Sequence, residues 1–322
     1  MRLMRYSRRH EPAALARMGV LVADEMVADL RAGHALFLLE ERGNAKSEAL
    51  AEIFVPPYIT QFLHLGEPGW EVLAETYAWM AELVHKDPAA RGLRGEDLFI
   101  PLAECRLYAP LRPAKLLAVT DNYRPAPPRG FEGGVPGAFA KLTSAVVGPG
   151  RDIIKPAVCE VLDCETELAV VIGRKCKHVS AEKAMEFVAG YTILNDVTAR
   201  DVTERERAGG NMLIGKSYDT FAPLGPWLVT RDELPDPMRL QVRTRVNGTV
   251  RREGNTSAMV HPVTTLVSYF SQLTLMPGDI IATGSPPSPS PGTQRTLVAG
   301  DRIECEIESI GVLLNAVVDE PE

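Results

Sequence analysis

The chain has 322 residues, of which 45% are hydrophobic, 24% charged and 6% aromatic, a composition that excludes a disordered, collagen-like or coiled-coil protein. Its 35 basic and 42 acidic residues leave a formal net charge of -7. Binding to nucleic-acid phosphates requires clustered Lys and Arg, and this acidic chain has no basic stripe, so we expect no nucleic-acid partner. A small molecule is therefore the expected partner.

Cysteine usage and hydropathy indicate the compartment. The five cysteines are odd in number and form no C-x-x-C pair, which predicts free thiols in a reducing cytoplasm. No apolar run approaches the roughly 18 residues of a membrane span, and the basic start lacks the apolar core of a signal peptide. We therefore expect a cytoplasmic protein with no membrane partner.

The length predicts about two domains at roughly 150 residues each. A connector punctuated by proline, 108–113, follows the first hundred residues. It places the boundary near residue 106 and gives an N-terminal domain of 1–106 and a second domain of 107–322. In the first of these, strands are predicted at 18–22 and 35–39 and a helix at 70–85, which describes a small α/β domain.

The second domain is predicted to be mostly β with mixed strand pairing, so the whole chain is α+β and mainly β. Asn247-Gly248 is a strong hairpin signal, and a helix is predicted between Ser180 as N-cap and Gly190 as C-terminal stop. The predicted strands lie at 168–172, 191–195, 280–283, 301–307 and 312–318.

Three acidic residues alternate just before an apolar strand. Asp163, Glu165 and Glu167 share one face of an extended chain, because side chains alternate with period two. Such a ladder is often a solvated face, but here it continues directly into the core, where clustered carboxylates persist when a divalent cation neutralises them. Oxygen ligands favour Mg²⁺, Mn²⁺ or Ca²⁺, and Asp196, after the strand 191–195, is the expected third ligand.

The segment 210–217, GNMLIGKS, formally matches the P-loop pattern. Phosphate binding by that motif requires a preceding strand and a following helix. Here charged residues precede the segment and Pro223 and Pro226 follow it, so neither flank fits. Lys216 is then either a surface charge or, beside carboxylates and a metal ion, an oxyanion stabiliser.

Six ordered motifs make the second domain resemble the fumarylacetoacetate hydrolase superfamily. They are E-x-E-L-A-V-V-I-G at 165–173, G-Y-T-x-x-N-D-x-x-A-R-D at 190–201, G-K-S-x-D-T-F-x-P-L-G-P-W at 215–227, V-N-G at 246–248, G-N-T-S at 254–257 and P-G-D-x-I-A-T-G at 277–284. The resemblance implies a mixed β roll that acts as a homodimer, binds Mg²⁺ or Mn²⁺, and cleaves or rearranges 2-oxo and 1,3-diketo acids. Residues 1–106 look like the accessory domain that some members carry.

The resemblance also implies roles for individual residues. Lys216 matches the catalytic lysine. The implied metal ligands are Glu165, Glu167, Asp196 and, from the branch closest to fumarylacetoacetase, Asp121. The implied substrate or metal contacts are Tyr123, Arg124, Lys141, Thr220, Thr283 and Gly284.

One departure concerns the entrance loop, where the family normally supplies a histidine. The segment 122–132 contains none, so Glu132 is the candidate base, and Arg124 and Arg129 are candidate clamps for a substrate carboxylate. We expect metal-dependent hydrolysis of a C–C bond in a small oxo acid. Because an enolate sink needs no base to activate water, decarboxylation or isomerisation is the alternative, followed by a metal-binding paralogue without turnover.

Overall fold

The computed structural model describes residues 1–23, 25–123, 134–288 and 296–321, and the chain divides into two compact units, Met1–Leu111 and Arg112–Glu322. The strands of the first unit are β1 (Arg2–Arg8), β2 (Arg17–Val22), β3 (Met26–Asp29), β4 (Phe99–Pro101) and β5 (Cys105–Tyr108). Its helices are α1 (Leu30–Glu40), α2 (Ser47–Phe54), α3 (Ile59–Leu63) and α4 (Glu67–Lys86). The strands pair antiparallel in the order β4-β3-β2-β1-β5. Because β5 pairs with β1, this unit extends past residue 106.

The strand predicted at 18–22 and the helix predicted at 70–85 lie within β2 and α4, but the strand predicted at 35–39 is wrong. Those residues belong to α1. The helix begins after Asp29, whose side chain accepts a hydrogen bond from the Ala32 amide at 3.1 Å, and most of it is buried. A short apolar run does not distinguish a buried helix from a strand.

His34 is a buried titratable group of α1. Its Nδ1 lies 2.7 Å from Thr76 Oγ1, and burial lowers the pKa of His34 to about 4. The unfolded value is about 6.5, so the neutral ring stabilises the fold above that pH, and this contribution is lost as the pH falls from 6.5 towards 4.

We expect the free energy of unfolding to fall by about 2 kcal/mol between neutral pH and about pH 5 through His34 alone. Urea unfolding across this range measures the loss, and His34→Gln should remove that part of the pH dependence. The exposed His64 offers a matched control in His64→Gln. Equal pH dependence in the wild type and His34→Gln would contradict the prediction.

The second unit is built mainly from strands. They are β6 (Leu116–Val119), β7 (Ala138–Lys141), β8 (Val146–Val147), β9 (Ile153–Lys155), β10 (Leu162–Asp163), β11 (Thr166–Ile172), β12 (Val188–Asn195), β13 (Thr198–Ala199), β14 (Ala222–Thr230), β15 (Gln241–Val246), β16 (Thr249–Asn255), β17 (Ile280–Ala282), β18 (Arg302–Ile307) and β19 (Gly311–Asp319). Its helices are α5 (Arg200–Ala208), α6 (Ile214–Ser217) and α7 (Val263–Phe270).

Two mixed sheets contain most of these strands, and β10 pairs separately with β13. One has the order β14-β12-β11-β17-β6-β7, with parallel pairing between β17 and β6, and β8 runs parallel to β14. The other has the order β16-β15-β18-β19-β9, with β9 parallel to β19. Every residue of β11 and β12 is buried, so these two strands form the centre of the core. The predicted α+β, mainly β class is confirmed.

Local signals in this unit gave mixed results. Asn247 and Gly248 both have positive φ, 51° and 77°, and join β15 to β16 as the hairpin prediction requires. The helix predicted at 181–189 does begin after Ser180, but it is a 3₁₀ helix that ends at Phe187, where β12 follows, so the predicted end at Gly190 is wrong. Gly190 lies inside β12, where a Cβ atom would stand 2.0 Å from the carbonyl oxygen of Val229. That glycine permits close strand packing instead of ending a helix.

Candidate active site

Three carboxylates meet where β11 begins and β12 ends. The two strands are antiparallel, with Thr166 opposite Asn195, so Glu165 and Asp196 are neighbours. The Asp196 amide donates to the Glu165 carbonyl at 2.8 Å, and the Glu165 amide donates to Asn195 Oδ1 at 3.1 Å. Carboxylate oxygens of Glu165, Glu167 and Asp196 lie within 4.8 Å of one another. The pairing of two core strands thus holds the acidic group together.

The acidic group opens into a cavity of about 150 Å³. The described residues that line it are Val119, Thr120, Asp121, Tyr123, Phe139, Glu165, Glu167, Asp196, Arg200, Arg207, Lys216, Arg252, Ser285 and Pro287. Most of these side chains are charged or polar, and both signs of charge are present. Such a lining suits a small anionic ligand held together with a cation.

Two buried lysines hold Asp196. Lys141 Nζ donates to Asp196 Oδ1 at 2.6 Å, and burial lowers the pKa of Lys141 although Asp196 opposes the shift. Lys216 Nζ donates to Asp196 Oδ2 and, at 3.2 Å, to Glu165 Oε2, and lies 4.9 Å from the centre of the Phe139 ring. Burial acts to lower the pKa of Lys216, but the two carboxylates outweigh it and raise the pKa. At neutral pH Lys216 is therefore an ammonium donor.

The two glutamates have opposite electrostatic surroundings. Burial acts to raise the pKa of Glu165, but Arg200, Lys216 and Arg252 outweigh it and hold that pKa well below its usual range. Burial, together with the charges of Asp196 and Glu165, raises the pKa of Glu167 well above its usual range. The charge of Lys216 and the Gly284 amide, which donates to Glu167 Oε2 at 2.9 Å, oppose this rise in pKa without cancelling it. A cation beside Glu167 would relieve this repulsion.

Asp163 binds two arginines instead of joining the acidic group. Arg200 Nη2 donates to Asp163 at 2.8 Å and to Glu165 at 2.7 Å. Arg252 Nη2 donates to Asp163 at 2.7 Å, and its Nε donates to the Cys164 carbonyl at 3.2 Å. The sequence pattern predicts that Asp163 shares a face with the two glutamates, but Asp163 does not join the group of three carboxylates. Asp163 orients the guanidinium groups that fix Glu165.

Arg252 has no signal in the sequence that predicts its place at this site. It lies on the hairpin strand β16, far along the chain from the carboxylates, and no spacing rule connects it with Asp163. Arg200 follows Asp196 within the motif at 190–201, but its contact with Glu165 is equally long-range. These contacts arise from the sheet topology.

Two neighbouring segments of the chain carry three of the implied substrate contacts, Tyr123, Thr283 and Gly284. Asn122 Nδ2 donates to the Thr283 carbonyl at 2.9 Å, next to Gly284, whose φ is 86°. The hydroxyl groups of Tyr123 and Thr283 are buried and make no hydrogen bond of ordinary length within the described residues. Tyr123 lines the cavity, whereas Thr283 is not among the described lining residues and its hydroxyl interacts with that of Tyr123. Because buried polar groups are normally paired, the Tyr123 hydroxyl is the one of the two that is placed to meet a ligand in the cavity.

The remaining predicted residues have other positions. Asp121 is exposed at the cavity lining and does not belong to the group of three carboxylates. Thr220 Oγ1 accepts a hydrogen bond from the Ile154 amide at 2.8 Å and does not line the cavity. The residues Arg124, Arg129 and Glu132 lie outside the described part of the chain, so their roles stay predictions.

The P-loop interpretation lacks its structural context. The helix α6 follows α5 instead of a strand, and the Nζ of Lys216 is bound to carboxylates. The three carboxylates near Lys216 offer only oxygen atoms as ligands, which fits a hard divalent cation.

A helix that crosses a membrane needs both sufficient length and sufficient hydropathy, and none of the helices in the described residues meets both requirements.

Comparison with known proteins agrees with this geometry. The fumarylacetoacetate hydrolase C-terminal family matches residues 109–318. Human mitochondrial oxaloacetate tautomerase FAHD2A is 40% identical over 278 residues, which cover 82% of this chain and 81% of the relative.

Two solved structures are similar over nearly the whole chain. The 5-carboxymethyl-2-hydroxymuconate delta-isomerase from Mycobacterium smegmatis aligns with a TM-score of 0.69 and 31% identity, over 99% of this chain and 100% of that chain. Maleylpyruvate hydrolase from Sphingobium sp. SYK-6, in complex with manganese(II) and pyruvate, aligns with a TM-score of 0.68 and 28% identity over 100% of both chains. The chain therefore belongs to the fumarylacetoacetate hydrolase family, as its motifs predict.

Proposed function

We propose that the chain is a divalent-metal-dependent enzyme that interconverts the enol and keto forms of a small 2-oxo dicarboxylic acid such as oxaloacetate. The observation that carries the proposal is the group of three carboxylates facing a small polar cavity beside Lys216. The tautomerase and isomerase names of two similar proteins support this class of reaction.

Glu165, Glu167 and Asp196 would hold the metal ion. When bound, the ion would supply Lewis-acid stabilisation for the enolate oxygen of a 2-oxo acid. The set of oxygens is compact enough for one ion, and the raised pKa of Glu167 reflects a local excess of negative charge that such an ion offsets.

The charge balance favours a dianionic substrate. Among the described residues of the site, five carboxylates and five basic side chains are present, so their formal charges cancel; they are Asp121, Asp163, Glu165, Glu167 and Asp196 against Lys141, Lys216, Arg200, Arg207 and Arg252. A divalent ion would leave two positive charges in a largely buried site. A dicarboxylate would neutralise both, whereas a monocarboxylate would leave one unpaired.

The reaction itself needs only proton movements. Enol-to-keto conversion removes the enol O–H proton and adds one at the neighbouring carbon, and no water is consumed. Lys216, an ammonium donor at the cavity, would donate a hydrogen bond to the oxygen on which negative charge develops. Hydrolysis would in addition require a base to activate water, and no histidine is among the described residues that line the cavity. Tautomerisation therefore demands less of these side chains.

Hydrolysis of an acylpyruvate is the second candidate, because the similar maleylpyruvate hydrolase acts on a substrate of that type. The two are separated by comparing Mn²⁺-loaded protein on the oxaloacetate enol, followed by its ultraviolet absorbance, and on acetylpyruvate. We expect faster enol-to-keto conversion than hydrolysis, with loss of the catalysed rate in chelator. Free Mn²⁺ alone supplies the background. Faster acetylpyruvate hydrolysis, or no rate above that background, would contradict the proposal.

A further inference from the structure

The catalytic candidate Lys216 lies on an unusually short helix. The helix α6 has four residues, and its N-cap residue Leu213 provides no side-chain hydrogen bond. One turn of helix is unstable by itself, because nucleation fixes several dihedral angles for a single hydrogen bond. The first amides of the helix also need acceptors from elsewhere. Something outside α6 must therefore hold Lys216 in place.

The Glu206 side chain provides those acceptors. Its Oε1 accepts hydrogen bonds from the Leu213 and Ile214 amides at 3.2 and 2.7 Å, and its Oε2 accepts from the Gly215 amide at 2.8 Å. One carboxylate thus binds three successive amides, the last of which immediately precedes Lys216. A carboxylate at this end of a helix is also favoured by the helix dipole.

Glu206 is in turn fixed to the active site through α5. That helix begins at Arg200, which binds Glu165. Gly215 of α6 packs so closely on α5 that an added Cβ atom would stand 2.4 Å from Thr203 Oγ1. At the other end of α6, Ser217 Oγ accepts a hydrogen bond from the Leu142 amide at 3.1 Å. The short helix is thus held at both ends, and Glu206 makes three of these bonds.

We propose that Glu206 is a positioning residue for Lys216. It is neither one of the described residues that line the cavity nor one of the three carboxylates, and it acts by holding the turn from which the Lys216 ammonium reaches Asp196 and Glu165. The inference rests on the proposed function only where catalysis is measured, because the position of Lys216 can be followed without turnover.

The first test therefore uses amine labelling. Lys216 is 3% exposed and should react slowly with acetic anhydride. The full chain is labelled in its folded state, and the label on each lysine is then measured by mass spectrometry of its peptides. In Glu206→Ala we expect its labelling rate to rise about 10-fold or more, as expected for local opening of a weakly held segment, while exposed Lys177 is unchanged. Glu206→Gln keeps one acceptor oxygen and should lie between the two. Unchanged Lys216 labelling in Glu206→Ala would overturn the proposal, whether or not the protein proves to be a tautomerase.

The second test is a double-mutant cycle on the enol-to-keto rate. Glu206→Ala should lower kcat by about 10- to 100-fold, which is the range for loss of a residue that orients a site residue without contacting the substrate or metal, and KM should be nearly unchanged. In a Lys216→Met background the same change should have no further effect, since its target is gone. Glu204→Ala, an exposed acidic residue on the same helix, controls for charge. Equal losses in both backgrounds would mean a general structural role and would overturn the proposal.

Discussion

Glu167→Gln should weaken Mn²⁺ binding by at least about 100-fold. Loss of a residue that only orients a metal ligand lowers metal affinity by about 10- to 100-fold, and loss of a ligand itself should lower the affinity more. The folded protein should not lose stability. Burial and the neighbouring carboxylates raise the pKa of Glu167 well above its usual range, so its charged form destabilises the metal-free fold at neutral pH. Replacing it by a neutral amide of the same shape removes that repulsion.

The variant therefore separates metal binding from folding. Titration calorimetry with Mn²⁺ measures the first, and thermal unfolding in chelator measures the second, where Tm should equal or exceed the wild-type value. Asp196→Asn is a poorer choice because it would leave the buried Lys141 and Lys216 without their shared partner, a loss that costs about 3 to 5 kcal/mol. Wild-type Mn²⁺ affinity in Glu167→Gln would exclude Glu167 as a ligand.

Lys216→Met should lower kcat for enol-to-keto conversion by about 10²- to 10³-fold, the effect of losing one donor to a developing oxyanion. Metal affinity should be unchanged or higher, since the Lys216 ammonium competes for oxygens of Asp196 and Glu165. Methionine keeps the approximate length and the apolar stem of the side chain and removes the ammonium group that lies over the Phe139 ring.

Steady-state kinetics at saturating Mn²⁺, together with metal titration, tests both parts of this prediction. Lys177→Met replaces an exposed lysine and should leave both quantities unchanged. A kcat within a factor of about two of the wild type would mean that Lys216 only balances charge, because loss of an oxyanion donor gives a far larger effect. Loss of ATP binding with unchanged kcat would instead support the P-loop interpretation.

Local pattern was sufficient to identify the acidic group. Glu165 and Glu167 are two residues apart at the start of a buried strand, and Asp196 follows its partner strand, so the sequence carries the information that brings them together. Asp163 has the same spacing from Glu165, but it is the last residue of the separate strand β10 and binds Arg252, which lies on a hairpin far along the chain. The period of a strand predicts a face, whereas the identity of the partner depends on which strands the topology places next to it.

Glu206 illustrates the same limit. Its distance along the chain from Gly215 matches no helix or strand period, and its role depends on the turn that brings α6 back against α5. Likewise, glycine is typical of the residue that ends a helix, but Gly190 lies inside β12, where the close approach of β14 requires a residue without a side chain. Propensity describes what a segment permits, and packing selects among the permitted structures.

A crystal structure of the protein soaked with Mn²⁺ and oxalate, with the metal located by its anomalous scattering, would test the proposed metal site directly. We expect one Mn²⁺ peak in the cavity, at about 2.0–2.6 Å from oxygens of Glu165, Glu167 and Asp196, the range for hard divalent cations, with oxalate bound on its open side and Lys216 beside it. A cavity without a peak, or a peak held by other residues, would contradict the assignment of these three carboxylates as the metal ligands.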